Sequence, residues 1–118
     1  MNQDVMDLPE VLERVQNDHD LLLELVDIFL KDCPEKIKAL NEAVQTKNFE
    51  TLKEVSHSLK GASGNLSAKK IYETCLTIEQ KTKNHNLDGI EEILMKLDRQ
   101  INDLKVFYGQ LKVEFKKA

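Results

Sequence analysis

Glycine and proline are scarce in this chain, with four glycines and two prolines among 118 residues. Clusters of β-branched residues are rare, and no stretch alternates apolar and polar residues as a half-buried strand would. A mostly helical chain is therefore expected. Cysteine occurs only at Cys33 and Cys75, too seldom for a disulfide scaffold and outside any CxxC spacing. Both read as small apolar core residues, which suits a reducing compartment. No run approaches ~18 consecutive apolar residues, so no membrane-spanning helix is expected. The opening MNQDVMDLPE is acidic and lacks an apolar centre, unlike a signal peptide. A cytoplasmic location is the expectation. An excess of positive charge is missing too, with 17 Lys and Arg against 21 Asp and Glu and a net charge of -4. That balance argues against nucleic acid as the main partner and leaves no basic tail for an anionic membrane.

What is present is helical periodicity. Asp7 is placed to cap a short helix with proline in its first turn, carrying Leu8, Val11, Leu12 and Val15 and ending near Asn17. Asp18 is a second capping candidate, followed by Leu21, Leu22, Leu25, Ile28 and Phe29. Pro34 interrupts this segment but Ile37, Leu40 and Val44 resume its period, which predicts one kinked helix or two nearly in line. Asn48 opens a third segment whose apolar stripe is Phe49, Leu52, Val55, Leu59, Ala62 and Leu66. Ser67 is expected to cap a fourth, with Ile71, Tyr72, Cys75, Leu76 and Ile78; after a polar turn around His85, a last helix runs from about Asp88 through Leu111. Met6 and Met95 carry no particular reading. The chain is thus expected to be all-α, an up-and-down antiparallel four-helix bundle with a short extra N-terminal helix, because short connections force sequential helices to lie antiparallel. Neither a repeat nor a linker is visible, so residues 1–118 are taken as one domain.

The stretch that points to chemistry is His57-Ser58-Leu59-Lys60-Gly61-Ala62-Ser63-Gly64-Asn65-Leu66-Ser67-Ala68. A lysine three residues after the histidine, with glycine four and seven residues after it, puts all four on one helical face. At roughly 100° per residue, His57 falls about opposite the apolar stripe, with Gly61 and Gly64 beside it and Lys53 and Lys60 on its flank. Each glycine costs a helix interior ~1 kcal/mol against alanine, so the open patch they leave is expected to serve a close-approaching partner. Imidazole suits reversible group transfer near neutral pH, and a lysine one turn away offers positive charge to a phosphoryl group. The sequence has no GxxxxGK[ST] loop, glycine-rich nucleotide lid or acidic metal cluster. Such a chain can hold a phosphoryl group but not take it from ATP unaided. A lone histidine would read as a solvated surface residue, as His19 and His85 do; the three share no helical spacing that would build a metal site.

The same run resembles the signature of histidine-containing phosphotransfer (HPt) domains of bacterial multistep phosphorelays, approximately H-x-L-K-G-[SA]-[SA]-x-x-[LIV]-G-A-x-x-[LIV]. His57, Leu59, Lys60, Gly61, Ala62, Ser63, Leu66, Ala68 and Ile71 match it. The similarity extends to Leu21–Phe29 and to Cys75-Leu76-Thr77-Ile78-Glu79. The resemblance implies a cofactor-free four-helix bundle in which His57 takes a phosphoryl group from a receiver-domain phospho-aspartate and passes it to another receiver. Lys60 would steady the phosphoryl oxygens, Gly61 would leave room beside the ring and Gly64 would keep the docking face open. Lys53 and Lys60, with Lys69 and Lys70 as further candidates, would complement the receiver's acidic pocket, where the Mg²⁺ used in transfer sits. The chain departs from the pattern at Ser67, which replaces a glycine, and at Glu79, where many family members carry a glutamine that hydrogen-bonds the imidazole. A carboxylate there would accept from Nδ1–H, leave Nε2 as the nucleophile and favour the imidazolium once phosphorylated; the alternative is that it repels the phosphoryl group.

Two other readings stand beside the phosphocarrier: the dimerising histidine-bearing domain of a sensor kinase, and a helical adaptor that has lost the relay. The first lacks its usual acidic residue after the histidine, since Ser58 follows His57; the second fits poorly with intact His57, Lys60 and Gly61. A monomer is expected, with receiver domains and a hybrid sensor kinase as partners. A chain opening at Met1 with little beyond the bundle is expected to be free-standing.

Overall fold

A computed structural model describes residues 5–117 of the chain. It is all-helical among those residues: α1 (Leu8–Arg14), α2 (His19–Gln45), α3 (Phe49–Asn65), α4 (Lys69–Lys83) and α5 (Ile90–Lys116). The four long helices form a ring, α3 on α4, α2 on α3, α2 on α5 and α4 on α5. Cross-helix pairs give the directions. His57 meets Glu79 while Gly64 lies against Tyr72, so α3 and α4 are antiparallel. His19 stacks on Phe115 while Asp27 lies near Tyr108, so α2 and α5 are antiparallel as well. The bundle is 48 Å long and 20 Å across.

Helix starts follow local chemistry. The carboxylates of Asp7 and Asp18 and the amide oxygen of Asn48 accept from the backbone N–H three residues on, satisfying donors that the first turn leaves unpaired. Helix α1 stops at Arg14, earlier than the expected Asn17, because Gln16 and Asn17 both take left-handed conformations. Helix α2 runs unbroken through Pro34, which settles the choice between one helix and two. Pro34 lies on the exposed side, where water can reach the Leu30 carbonyl that the missing N–H leaves free. Helix α5 begins at Ile90 behind Gly89, whose φ of 70° is natural for glycine.

Ser67 does not cap α4. Ala68 stands at that position with no side-chain cap, and Ser67 takes a left-handed φ of 56°. A residue with a β-carbon is disfavoured there, which explains why glycine suits this point of the family pattern. The Ser67 hydroxyl donates to Glu10 at 2.8 Å and accepts from Arg14 at 3.3 Å, offsetting part of the strain.

The core-facing side of α3 also differs from the apolar stripe. Leu52, Ser56, Leu59, Ser63 and Leu66 are buried, whereas Val55 and Ala62 are only half-buried. The serines are tolerated because Ser56 donates to the Leu52 carbonyl and Ser63 to the Lys60 carbonyl, so neither hydroxyl is orphaned. Met6 is fully buried under α1, a core role its sequence position does not reveal. Cys33 and Cys75 are core residues, as expected.

Candidate functional site

Helix α3 projects His57 outward, with its side chain 69% exposed, while its neighbour α4 brings Glu79 beneath the ring. Nδ1 lies 2.7 Å from Glu79 Oε2, and the other carboxylate oxygen accepts from Lys60 Nζ at 2.7 Å. Glu79 is almost entirely buried, its side chain 8% exposed, and Lys60 is 18% exposed. The Lys60 ammonium bonded to it holds the Glu79 carboxyl below the usual carboxylate range; burial opposes this and His57 assists it. The same bond raises Lys60 above the ordinary lysine range against burial. Glu79 is therefore an ionised, acceptor-only group, so a neutral His57 must carry its proton on Nδ1. The lone pair is then on Nε2, at the outer edge of the ring, for which no partner exists among the described residues.

Lys60 has a partner that its sequence position does not reveal, since its ammonium is paired with Glu79 and only partly exposed. Lys53, one turn before His57, is exposed and in no ion pair among the described residues. From α2, Lys36 donates to Oγ of Ser58, the residue after the histidine, at 2.6 Å and pairs with Asp32 at 2.7 Å. Lys69 turns toward α1, pairing with Glu10 at 2.9 Å and Asp7 at 3.4 Å. Lys70 lines a groove with Lys96 and Gln100 on the α4–α5 side, so neither flanks His57.

The two glycines part company. A β-carbon on Gly61 would touch nothing within 4 Å, so nothing inside the chain demands glycine there and the opening faces outward. A β-carbon on Gly64 would lie 3.2 Å from the Tyr72 ring, so this glycine also serves the close packing of α3 on α4. His19 stacks on Phe115 at 3.9 Å and His85 on Phe49 at 4.3 Å, so both have packing roles beyond a plain surface residue. Burial pushes the Cys33 and Cys75 thiols up to about 12, which leaves them protonated and unreactive at neutral pH.

Sequence reasoning missed the clamp around the end of α3. Arg14 donates to the Gly64 and Asn65 carbonyls at 3.0 and 2.7 Å, and the Asp7 N–H donates to the Ser67 carbonyl. These bonds satisfy carbonyls that the helix end leaves unpaired and tie α1 to the turn after the site-bearing helix. The acidic start and basic end of α1 were the available signal, but their partners lie some 50 residues away.

A model of the Hpt domain matches residues 24–106, which covers His57, Lys60 and Glu79. The chain belongs to the Hpt domain family. Histidine-containing phosphotransfer protein 2 of Arabidopsis thaliana is 26% identical to it over 99 residues, covering 80% of this chain and 64% of the plant protein. The chain thus spans somewhat less than two thirds of that relative. Phosphorelay protein LuxU of Vibrio harveyi is 31% identical over 88 residues, covering 74% of this chain and 77% of that protein. Among solved structures, histidine-containing phosphotransfer protein B from Pseudomonas aeruginosa PAO1 superposes with a TM-score of 0.78 at 24% identity, over 86% of this chain and 89% of the other. That likeness bears on the fold alone, and the fold is the Hpt helical bundle. No helix among the described residues of this Hpt protein is long and apolar enough to cross a membrane.

Proposed function

We propose that this Hpt protein is a phosphocarrier that relays a phosphoryl group between receiver-domain aspartates through a phospho-histidine at His57. The observation that carries the reading is the 2.7 Å contact of Nδ1 with Glu79, which leaves Nε2 open on an exposed face. Nε2 attacks the phosphorus of an aspartyl phosphate, the N–P bond forms as the O–P bond breaks, and the receiver's carboxylate leaves. The ring becomes an imidazolium with its proton still on Nδ1, so charge and protons balance without a separate base. The names of the plant and Vibrio relatives, as phosphotransfer and phosphorelay proteins, support the same function.

The surface around the ring suits a receiver. Gly61 admits close approach, and Lys53 supplies positive charge toward an acidic pocket. Leu21, Leu25 and Ile28 are exposed at i, i+4 and i+7 on α2, along the edge that leads to Lys36 and so to Ser58 beside His57. Mg²⁺ for the transfer belongs to the receiver's pocket. A monomer, partnered by receivers and a hybrid kinase in the cytoplasm, completes the proposal. Incubation with receiver domains carrying labelled aspartyl phosphate should label the protein but not its His57→Gln variant. Failure to label the unsubstituted protein with any of the host's receivers would contradict the function and favour an adaptor.

A further inference from the structure

Glu79 does more to His57 than a neutral acceptor in the same place would. An amide oxygen could accept from Nδ1–H and fix the ring equally well, but it would leave the charge that appears on the ring uncompensated. Glu79 is ionised, nearly buried, and anchored through its second oxygen on Lys60, so its negative charge is fixed against the Nδ1 side. The groups facing the ring are few. Glu79 comes from α4, and Lys53 and Lys60 from α3. From α2, Lys36 donates to Ser58, the next residue along α3, and is paired with Asp32; Tyr72 of α4 lies near Lys60, and α5 packs on α2 and α4 across the bundle.

We propose that Glu79 is a positioning residue that, through its charge, keeps the proton on Nδ1 of phosphorylated His57 and draws the transfer equilibrium toward the phospho-histidine. The inference rests on the phosphocarrier reading and adds a direction to it, a carrier built to take up phosphoryl groups readily. On loading, the aspartyl O–P bond breaks, the N–P bond forms and the neutral ring becomes an imidazolium. Glu79 stabilises that positive charge, whereas the phosphoryl group, on Nε2, lies beyond the ring from the carboxylate. On unloading, the N–P electron pair returns to Nε2 and the Nδ1 proton stays in place, so the leaving group is neutral imidazole. If the proton were lost, the leaving group would be an imidazolate anion and unloading would be slow.

The test is Glu79→Gln, which keeps the shape and a hydrogen-bond acceptor but removes the charge, alongside Lys60→Gln, which keeps the carboxylate. Each protein is phosphorylated with phosphoramidate, a small-molecule phosphodonor to imidazole, and the ³¹P resonance of the phospho-histidine is followed from pH 5 to 10. An opposite charge this close moves a titration by roughly 1–3 pH units; with Lys60 offsetting part of it, Glu79→Gln should lower the pH midpoint by about 1 unit. At pH 9 its phospho-histidine should hydrolyse several-fold more slowly than the unsubstituted protein's, and at pH 5 no more slowly. Loading from a phosphorylated receiver at pH 7 should be several-fold less favourable. Lys60→Gln should give a midpoint at or above that of the unsubstituted protein. An unchanged midpoint in Glu79→Gln would overturn the inference while leaving the carrier function intact, as would a fall in Lys60→Gln as large as in Glu79→Gln. Absence of phospho-histidine from both phosphoramidate and receivers would overturn the carrier reading, and this inference with it.

Discussion

Replacing Ser67 by glycine and by alanine should give unequal stability changes, and the order of the two follows from the geometry of the α3–α4 turn. Ser67 is held at a φ of 56°, a conformation that costs a residue with a β-carbon ~1 kcal/mol or more. Its buried hydroxyl donates to Glu10 at 2.8 Å and accepts a long 3.3 Å bond from Arg14. Losing the hydroxyl costs ~1 kcal/mol, at the lower end for such bonds. Glu10 keeps Lys69 and Arg14 keeps two carbonyls, so neither is orphaned. Alanine loses the bonds and keeps the strain, and should be less stable by ~1 kcal/mol. Glycine loses the bonds but relieves the strain, and should fall within about 0.5 kcal/mol of the unsubstituted protein. The two variants should therefore melt about 3–5 °C apart, as ~1 kcal/mol implies for a domain of this size. Thermal and urea unfolding followed by far-ultraviolet circular dichroism would measure it. Alanine as stable as serine, or more stable than glycine, would refute the strain argument.

Gly61→Ala should stabilise the helix by ~0.5–1 kcal/mol, since its β-carbon meets nothing, yet slow transfer from a phosphorylated receiver. Gly64→Ala should not share that gain in thermal unfolding, because its β-carbon presses on Tyr72 at 3.2 Å. The Glu79 carboxyl is held below its ordinary range first by Lys60. Its contribution to stability is thus fully present above the unfolded carboxylate value and is lost as pH falls through the lower folded one. Acid titration of unfolding free energy should accordingly show a steeper acid limb in the unsubstituted protein than in Glu79→Gln. Cys33 and Cys75, with thiols pushed up to about 12, should stay inert to a thiol reagent at pH 8 until the protein is unfolded, as a colorimetric time course would show.

Much of the architecture is legible in the residues themselves. Asp7, Asp18 and Asn48 announce their helices because a capping side chain acts on a backbone N–H three residues away. His57 can be placed opposite the core from periodicity alone, and its proximity to Glu79 followed from the family pattern. Less accessible were features that depend on which helices meet. Ser56 and Ser63 read as polar, yet their hydroxyls bond within their own helix and leave them free to face the core. Gly64 resembles Gly61 on a helical wheel, and only the approach of Tyr72 tells the two apart. The pairing of Lys60 with Glu79 depends in the same way on α4 lying against α3. Ser67 looked like a cap because serine often is one; its left-handed backbone is imposed by the turn it closes.

The central claim is that His57 is the phosphoryl-bearing residue and that Nε2 is the atom bonded to phosphorus. The most direct measurement is ³¹P and ¹⁵N nuclear magnetic resonance of uniformly ¹⁵N-labelled protein after incubation with a phosphorylated receiver. The account predicts one phospho-histidine, at His57, with phosphorus coupled to Nε2 and the proton on Nδ1 facing Glu79. Phosphorus on Nδ1, or on His19 or His85, or no phospho-histidine with any receiver of the host, would contradict it.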